Sequence, residues 1–302
     1  MYTVTLHEAC REQKRRVGSK ALQLAKLTDQ NVSIPGGFVV TSDALHRFMS
    51  ANGLSHEQDW SGMDMDERLT DAELPDEVFR EVAAAFESLQ DGAKLGGGVA
   101  VRSSSSAEDL EEASFAGQYE TILNVTDLPH LLESLKRCWS SLFSARVRNY
   151  ASQKNIDLDV ERLPMGVLVQ QMVQADVSGV IFSMNPVTRN TDEIVINASY
   201  GLGEAIVSGL VTPDCYYVGK QDERMNKELG LKEVKIVAAD KETMEVATTE
   251  EEQSRYCLSD AQVLDLAGQT RTIEAFFGMP VDIEFAVKDG HVYILQARPI
   301  TA

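Results

Sequence analysis

The stretch "VDIEFAVKDGHVYILQARPI", residues 281–300, consists of two apolar-rich runs on either side of a central Asp-Gly pair. Such runs around Asp-Gly predict two antiparallel strands joined as a hairpin. Side chains two residues apart in a strand share a face, so Asp282 lies with Glu284, and Gln296 lies with Arg298. If the turn is tight, we expect both pairs to meet on one face of the hairpin.

The chemistry of this predicted face is that of a magnesium and phosphate site. Carboxylate and amide oxygens are ligands that Mg²⁺ accepts together with substrate phosphates. An arginine suits a phosphate oxygen, because its planar guanidinium donates several hydrogen bonds. The alternative is an exposed hairpin face that carries an ordinary surface ion pair, which is common in soluble proteins. The hairpin alone leaves both interpretations open.

A second candidate phosphate site lies in "VAVRSSSSAEDLEEASFAGQYET", residues 99–121. Arg102 ends a predicted strand, and serine hydroxyls and a turn at residues 116–118 follow it. Side chains and backbone amides of such a loop can surround a phosphate. The alternative is a solvated serine loop in which Glu108 or Asp109 neutralises the arginine.

Two further signals are weak when taken alone. Lys20 follows Gly18 and Ser19 at the start of a predicted helix over residues 17–27, so it is either a phosphate contact or a surface lysine. The sequence "GLGE" at residues 201–204 is glycine-rich but lacks the spacing of a dinucleotide fingerprint.

Composition limits the classes of function. The chain has 302 residues, 43% of them hydrophobic, and a formal net charge of −19. That charge repels nucleic acid and anionic membranes, so we expect neither as a partner. Four scattered cysteines without a CxxC pair indicate thiols of a reducing compartment. With no leader and no membrane-spanning run expected, we predict a cytoplasmic protein of mixed helix and strand.

The order of predicted elements suggests two lobes that divide near residues 170–176. We predict helices over residues 76–89, 127–151 and 260–278, and strands over residues 165–173, 177–186, 192–200 and 214–218.

In combination these segments resemble the ATP-binding domain of the phosphoenolpyruvate synthase and pyruvate, phosphate dikinase family, and among its members the rifampicin phosphotransferases most of all. The resemblance extends from about residue 15 to residue 301. The motifs that carry it, in chain order, are "VGSKALQLAKL", "IPGGFVVTSDA", "VAVRSSSSAEDLEEASFAGQYET", "VQQMV", "SGVIFSMNPVT", "NASYGLGEAIVSGLVTPD", "DIEF" and "LQARPIT".

The resemblance implies an α+β ATP-grasp fold in which two lobes, residues 1–172 and 173–302, clasp ATP. It also implies catalytic cations that contact the phosphates, namely Lys20, Arg102 and Arg298. The implied Mg²⁺ ligands are Glu284 and Gln296, with Asp282 beside them. The loop over the phosphates would contain Gly117, Gln118 and Thr121. The strand whose backbone meets the adenine would contain Gln170, Gln171 and Met172.

The sequence departs from this family in two respects. A serine, Ser19, stands where a second glycine usually precedes the lysine, and it fits only if its backbone avoids positive φ. The family also continues into a phosphohistidine domain, and none of the five histidines here matches the setting of the carrier histidine.

The resemblance therefore predicts a module that transfers a phosphoryl or pyrophosphoryl group from Mg-ATP to a histidine on a separate or missing carrier domain. Two alternatives are a stand-alone kinase or ligase that acts on a small molecule, and a non-catalytic nucleotide sensor. The sequence does not distinguish AMP from ADP as the product, nor does it identify the final acceptor.

Overall fold

The computed structural model describes residues 1–54, 65–92, 95, 97–106, 109–110, 113–114, 119–147, 149, 164–240 and 242–300. The chain forms two compact units. Unit 1 contains Met1–Lys26 and Gly36–Met172, and unit 2 contains Leu27–Pro35 and Val173–Ala302. Unit 2 therefore includes the segment Leu27–Pro35. The expected division into residues 1–172 and 173–302 places this segment in the N-terminal lobe.

Unit 1 is built on a five-stranded antiparallel sheet with the order β1-β2-β7-β3-β6. Its strands are β1 (Thr3–Thr5), β2 (Gly37–Val40), β3 (Val99–Ser105), β6 (Thr121–Val125) and β7 (Met165–Gln171), with β4 (Asp109–Leu110) and β5 (Ala113–Ser114) as a separate pair. Its α-helices are α1 (Lys14–Val17), α2 (Ser19–Leu27), α3 (Ser42–Ala51), α4 (Met65–Asp71), α5 (Asp76–Asp91) and α6 (Leu128–Ser140). Two 3₁₀ helices cover Glu8–Arg11 and Ser141–Phe143.

The core of unit 1 lies on one face of this sheet. Val101 of β3 and Val169 of β7 are buried there with side chains of α3, α5 and α6, among them the ring pair Phe48 and Trp139 at a centroid distance of 5.1 Å. Because side chains alternate along a strand, the next residues, Arg102 and Gln170, point to the opposite face. The sheet thus separates the main hydrophobic core from a second face, here called the polar face, that carries Arg102 and Gln170 beside buried apolar residues such as Leu168.

The helix predicted over residues 127–151 is shorter than expected. It begins after Asp127, whose side chain accepts the His130 N–H, and it ends at Ser140. The Ser141 hydroxyl donates to the Cys138 carbonyl at 2.7 Å, and the chain continues as a 3₁₀ turn. Serine hydroxyls compete in this way with helical backbone bonds, so the predicted helix is interrupted at residues 141–144, and residues 145–147 are helical again.

Unit 2 is built on a six-stranded antiparallel sheet with the order β11-β10-β9-β8-β14-β15. Its strands are β8 (Val177–Phe182), β9 (Glu193–Tyr200), β10 (Asp214–Gly219), β11 (Met225–Glu228), β14 (Val281–Lys288) and β15 (His291–Pro299), and β12 (Val234–Ala239) pairs with β13 (Glu242–Ala247). Its helices are α7 (Glu204–Val207), α8 (Glu250–Ser254) and α9 (Asp260–Phe277).

The core of unit 2 lies between one face of this sheet and α9. Helix α9 begins with a capping box formed by Ser259 and Gln262, and it ends at Gly278 in the left-handed conformation. Val263 and Ile273 of α9 are buried in the same apolar cluster as Ile283 of β14. The opposite face of the sheet carries a mixture of polar and apolar side chains.

The predicted α+β class is confirmed, because both units combine helices with wholly antiparallel main sheets. Within the part of the chain that the structure describes, no helix has the length and apolarity needed to cross a bilayer.

The predicted hairpin over residues 281–300 is also present, and Asp176 holds its turn. Asp289 and Gly290 have φ values of 50° and 79°, as a tight Asp-Gly turn requires. The Asp176 carboxylate accepts a hydrogen bond from Lys288 Nζ at 2.8 Å and another from the Asp289 N–H at 2.9 Å. Partial burial alone would raise the pKa of Asp176, but these bonds and the charge of Lys288 hold it below its ordinary value of 3.8.

We expect Asp176→Asn to destabilise the protein at pH 7 by less than about 1 kcal/mol, because the ion pair is partly exposed. The folded-state pKa is the lower one, so ionised Asp176 stabilises the fold above pH 3.8 and loses this effect as the pH falls through the folded value. Thermal unfolding at pH 7 and pH 3 should therefore show a difference from wild type that shrinks at the lower pH. Lys288→Met should lower the free energy of unfolding by a similar amount. The double variant should be as stable as the single variants, because both substitutions break the same ion pair. Additive losses would contradict this role.

Candidate nucleotide site

A β-bulge sets the register of the two strands that carry the predicted magnesium residues. On the side of the turn, Phe285 lies opposite Ile294. The next pair away from the turn is Glu284 with Gln296, so Leu295 is an extra residue in β15 that has no partner position in β14. An uninterrupted ladder would set Glu284 opposite Leu295 and would turn Gln296 to the other face. The bulge therefore brings the two polar pairs together, which a tight turn alone would not do.

The four hairpin residues belong to two rows that cross the open face of the unit 2 sheet. Direct cross-strand partners have neighbouring side chains on one face. One row consists of Cys215, Asn197, Val180, Glu284 and Gln296. The other row consists of Tyr217, Val195, Phe182, Asp282 and Arg298. The structure thus brings the predicted residues of this hairpin into one patch.

Asp282 and Arg298 form an ion pair in this patch. Arg298 donates from Nε and Nη2 to Oδ2 of Asp282 at 2.9 and 2.7 Å. Burial of Asp282 raises its pKa more than the charge and hydrogen bonds of Arg298 lower it, and the charge of Glu284 raises it further. Arg298 therefore does not fully offset the cost of burying the charge of Asp282.

A cavity of about 370 Å³ opens on the same patch. Asp282, Glu284 and Arg298 line one part of it, and the rest is lined by Asn197 and by apolar side chains, namely Val180, Phe182, Ile206, Val207 and Pro213. This volume lies within the range of small-ligand sites.

The oxygen donors of the patch fit a hard divalent cation whose remaining ligands come from a substrate and from water. Among the described residues, no three His, Cys, Asp or Glu side chains are grouped so that they could hold a metal ion. The patch instead offers two carboxylates and the amide of Gln296, whose side chain is almost fully buried. Mg²⁺ accepts such a partial set, since it usually retains water and phosphate oxygens as its remaining ligands. The incompletely compensated charge of Asp282 also favours a cation.

In unit 1, the loop before Lys20 fits closely against strand β3. Gly18 has a φ of 81°, and a Cβ atom there would lie 1.8 Å from the Ser104 carbonyl oxygen, so glycine is required. Ser19 starts α2 and is not among the described residues with positive φ, which explains why serine is accommodated there. Lys20 Nζ donates to the Ser103 carbonyl at 3.0 Å. The predicted lysine therefore lies next to the strand that carries Arg102.

Arg102 is almost fully buried on the polar face of the unit 1 sheet. Its cross-strand partner on β6 is Thr121, the predicted loop residue. Its Nη1 donates to Oε1 of Gln170, on the neighbouring strand β7, at 3.4 Å. Three predicted residues, Arg102, Thr121 and Gln170, are thus close together, whereas Gly117 and Gln118 lie outside the described residues.

The two glutamines at the end of β7 point in opposite directions. Gln171 donates from Nε2 to the Leu89 carbonyl of α5 at 3.3 Å, on the core side. The backbone N–H groups of Gln171 and Met172 donate to the carbonyls of Gly36 and Gly98. These two N–H groups are therefore engaged within the protein, and the predicted contact of this strand with adenine stays a prediction.

Sequence reasoning missed Asn197, which lines the cavity together with Glu284. A usable signal was present, because asparagine is disfavoured within strands and here interrupts the run "DEIVINASY". The period of two also sets Asn197 apart from its buried neighbours Ile196 and Ala198.

Comparison with known families matches residues 14–302 to the domain described as "Pyruvate phosphate dikinase, AMP/ATP-binding domain". The "Uncharacterized phosphotransferase YvkC" of Bacillus subtilis is 42% identical over 301 residues, which are 100% of this chain and 35% of that protein. The "Probable phosphoenolpyruvate synthase" of Methanothermobacter thermautotrophicus is 35% identical, with 99% of this chain and 46% of that protein covered. The chain thus spans less than half the length of these curated relatives.

Among solved structures, the D-alanine-D-alanine ligase of Helicobacter pylori aligns with 94% of this chain and 54% of its own, with 9% identity and a TM-score of 0.39. The ligase of Bacillus anthracis complexed with ATP covers 92% of this chain and 54% of its own, with 10% identity and a TM-score of 0.31. The family assignment rests on the sequence comparisons.

Proposed function

We propose that this chain, which belongs to the pyruvate phosphate dikinase AMP/ATP-binding domain family, binds Mg-ATP and passes a phosphoryl or pyrophosphoryl group to a histidine of a carrier domain. The observation that carries the proposal is the pairing of Glu284 with Gln296 and of Asp282 with Arg298 on one face of the hairpin. Oxygen ligands beside an arginine suit a metal-bound phosphate chain.

The proposed phosphate contacts are Lys20, Arg102 and Arg298. Arg102 is 8% exposed, so its charge acts in a poorly solvated setting where electrostatic attraction is stronger than in water. This local effect allows a polyanion to bind to a protein whose net charge is −19. We assign Thr121, the first residue of β6, to the phosphate site together with Gly117 and Gln118, because Thr121 is the cross-strand partner of Arg102.

Glu284 and Gln296 are the proposed Mg²⁺ ligands, with Asp282 beside them. When bound, the ion neutralises charge on the phosphate oxygens. Asp282 orients Arg298 through their ion pair. Asn197 is an additional candidate contact, because its side chain lines the same cavity. For the adenine we retain the end of β7, namely Gln170, Gln171 and Met172.

The proposed chemistry requires positioning rather than a general base. A neutral imidazole nitrogen of the carrier attacks phosphorus, and the bond between phosphorus and the leaving oxygen breaks. The leaving group is ADP when the phosphoryl group moves and AMP when the pyrophosphoryl group moves. The cationic side chains stabilise the charge that develops on the phosphate oxygens.

The lengths of the relatives support a carrier histidine that lies outside these 302 residues, on a further domain or on a separate protein. A phosphotransferase and phosphoenolpyruvate synthases are among them, and all are much longer than this chain. We place the reaction in the cytoplasm, which the free thiols of the four cysteines support. We expect neither nucleic acid nor a membrane as a partner, because the net charge of −19 repels both.

We expect Glu284→Ala and Gln296→Ala to remove the Mg²⁺-dependent part of ATP binding without lowering the melting temperature. Both side chains belong to the open face rather than to the core. Arg102→Ala should weaken Mg-ATP binding by about 1.5–3 kcal/mol, as loss of a hydrogen bond to a charged group commonly does. Calorimetry with ATP, in MgCl₂ and in EDTA, measures both effects. Glu245→Ala, on the exposed part of β13, is the control. Wild-type affinity in all three site variants would show that the site assignment is wrong.

We expect the chain alone to hydrolyse ATP slowly at most, and turnover to rise with the concentration of a phosphohistidine domain added as a separate protein. ATP labelled in the β- or γ-phosphate should label that domain in an acid-labile form, and a carrier whose histidine is replaced by alanine should stay unlabelled. Label on the γ-phosphate alone with ADP as product indicates phosphoryl transfer, whereas both labels with AMP indicate pyrophosphoryl transfer. Transfer to a small molecule without a second protein would overturn the carrier hypothesis. Binding without any transfer would favour a nucleotide sensor.

A further inference from the structure

We propose that Gln170 is a positioning residue of the phosphate site, and that its side-chain amide connects Arg102 to a phosphate of the bound nucleotide. This inference rests on the proposed function. It assigns the side chain of Gln170 to the phosphate end of the nucleotide. The family resemblance makes no assignment for this side chain and places only the backbone of the strand, next to the adenine.

The register of the sheet makes Gln170 and Arg102 diagonal neighbours on the polar face. Gln170 lies opposite Ala100 on β3, and Arg102 lies opposite Leu168 on β7, two residues further along. Diagonal neighbours on one face are within reach of long side chains. Arg102 Nη1 and Gln170 Oε1 are 3.4 Å apart, and both side chains are almost completely buried.

The orientation of the amide follows from the chemistry of arginine. A guanidinium group has donors and no acceptor, so only the amide oxygen of Gln170 can face it. The amide nitrogen must then point elsewhere. Gln170 is 2% exposed, and no described residue accepts a hydrogen bond from its Nε2.

The neighbours of Gln170 explain why this donor has no partner. Its cross-strand partners are Gly37 on β2 and Ala100 on β3, neither of which has a side chain that can accept a hydrogen bond. A buried donor without a partner is costly, so such a group in a native structure indicates a missing acceptor. An amide N–H cannot bind a metal ion, but it suits a phosphate oxygen. The adjacent Arg102 attracts the same kind of ligand.

The test compares Gln170→Leu with wild type for two ligands, Mg-ATP and adenosine. One hydrogen bond to a charged group corresponds to about a 10- to 100-fold change in affinity. We therefore expect Mg-ATP to bind about 10-fold or more weaker and adenosine to bind within about twofold of wild type. Gln170→Asn keeps the amide but withdraws it by one methylene, so it should show the same selective loss. Gln221→Leu, which removes an exposed amide in the turn between β10 and β11, is the matched control.

A second measurement separates this role from a purely structural one. Because the amide acts together with Arg102, Gln170→Leu should cost less in an Arg102→Met background than in wild type. Gln170→Glu keeps an acceptor for Arg102 but removes the donor, so it should not restore Mg-ATP affinity.

The outcomes are distinct. A wild-type chain that does not bind Mg-ATP would refute the proposed function. Normal Mg-ATP affinity in folded Gln170 variants would refute this inference alone, and so would an equal loss for adenosine, which would place the side chain at the base. Independent, additive effects of the two substitutions would also refute it.

Discussion

The candidate site of unit 2 depends on one extra residue in a β-ladder. Leu295 interrupts the pairing of the last two strands, so Gln296 lies opposite Glu284, and Arg298 lies opposite Asp282. Because strand side chains alternate strictly, a ladder without the bulge would direct the amide and the guanidinium toward the core, away from the two carboxylates. Ala297, which is buried in the core, shows that the alternation resumes correctly after the bulge. A local irregularity of this kind typically redirects side chains near functional sites.

In unit 1, a close backbone contact brings Lys20 next to the strand that carries Arg102. Gly18 lies against the Ser104 carbonyl, where a Cβ atom would overlap with it, and this contact brings the start of α2 to strand β3. Lys20 consequently donates to the carbonyl of Ser103, directly after Arg102 in the chain. In both units, backbone geometry and polar partners hold the cationic side chains, which limits the conformational entropy lost when a polyanion binds.

The sequence was most informative where local chemistry determines the structure. Asp289 and Gly290 specify the last turn, and the capping box of Ser259 with Gln262 specifies the start of α9. It was less informative where partners distant in the chain decide, as for the amide of Gln170, whose partner lies on another strand. The bulge at Leu295 has no clear signature in the sequence, and the end of α6 depended on a serine hydroxyl that apolar periodicity does not register.

The electrostatics of the unit 2 patch indicate how a nucleotide would enter it. Burial raises the pKa of Asp282 despite its ion pair with Arg298, so the protein does not fully stabilise the negative charge that it places there. A free triphosphate would add charge of the same sign to Asp282 and Glu284, and Arg298 already donates to Asp282. Mg²⁺ reverses this balance, because it is attracted by both carboxylates and by the phosphates. The patch is therefore suited to the complex of ATP with Mg²⁺ rather than to ATP alone, and metal and nucleotide should increase each other's affinity.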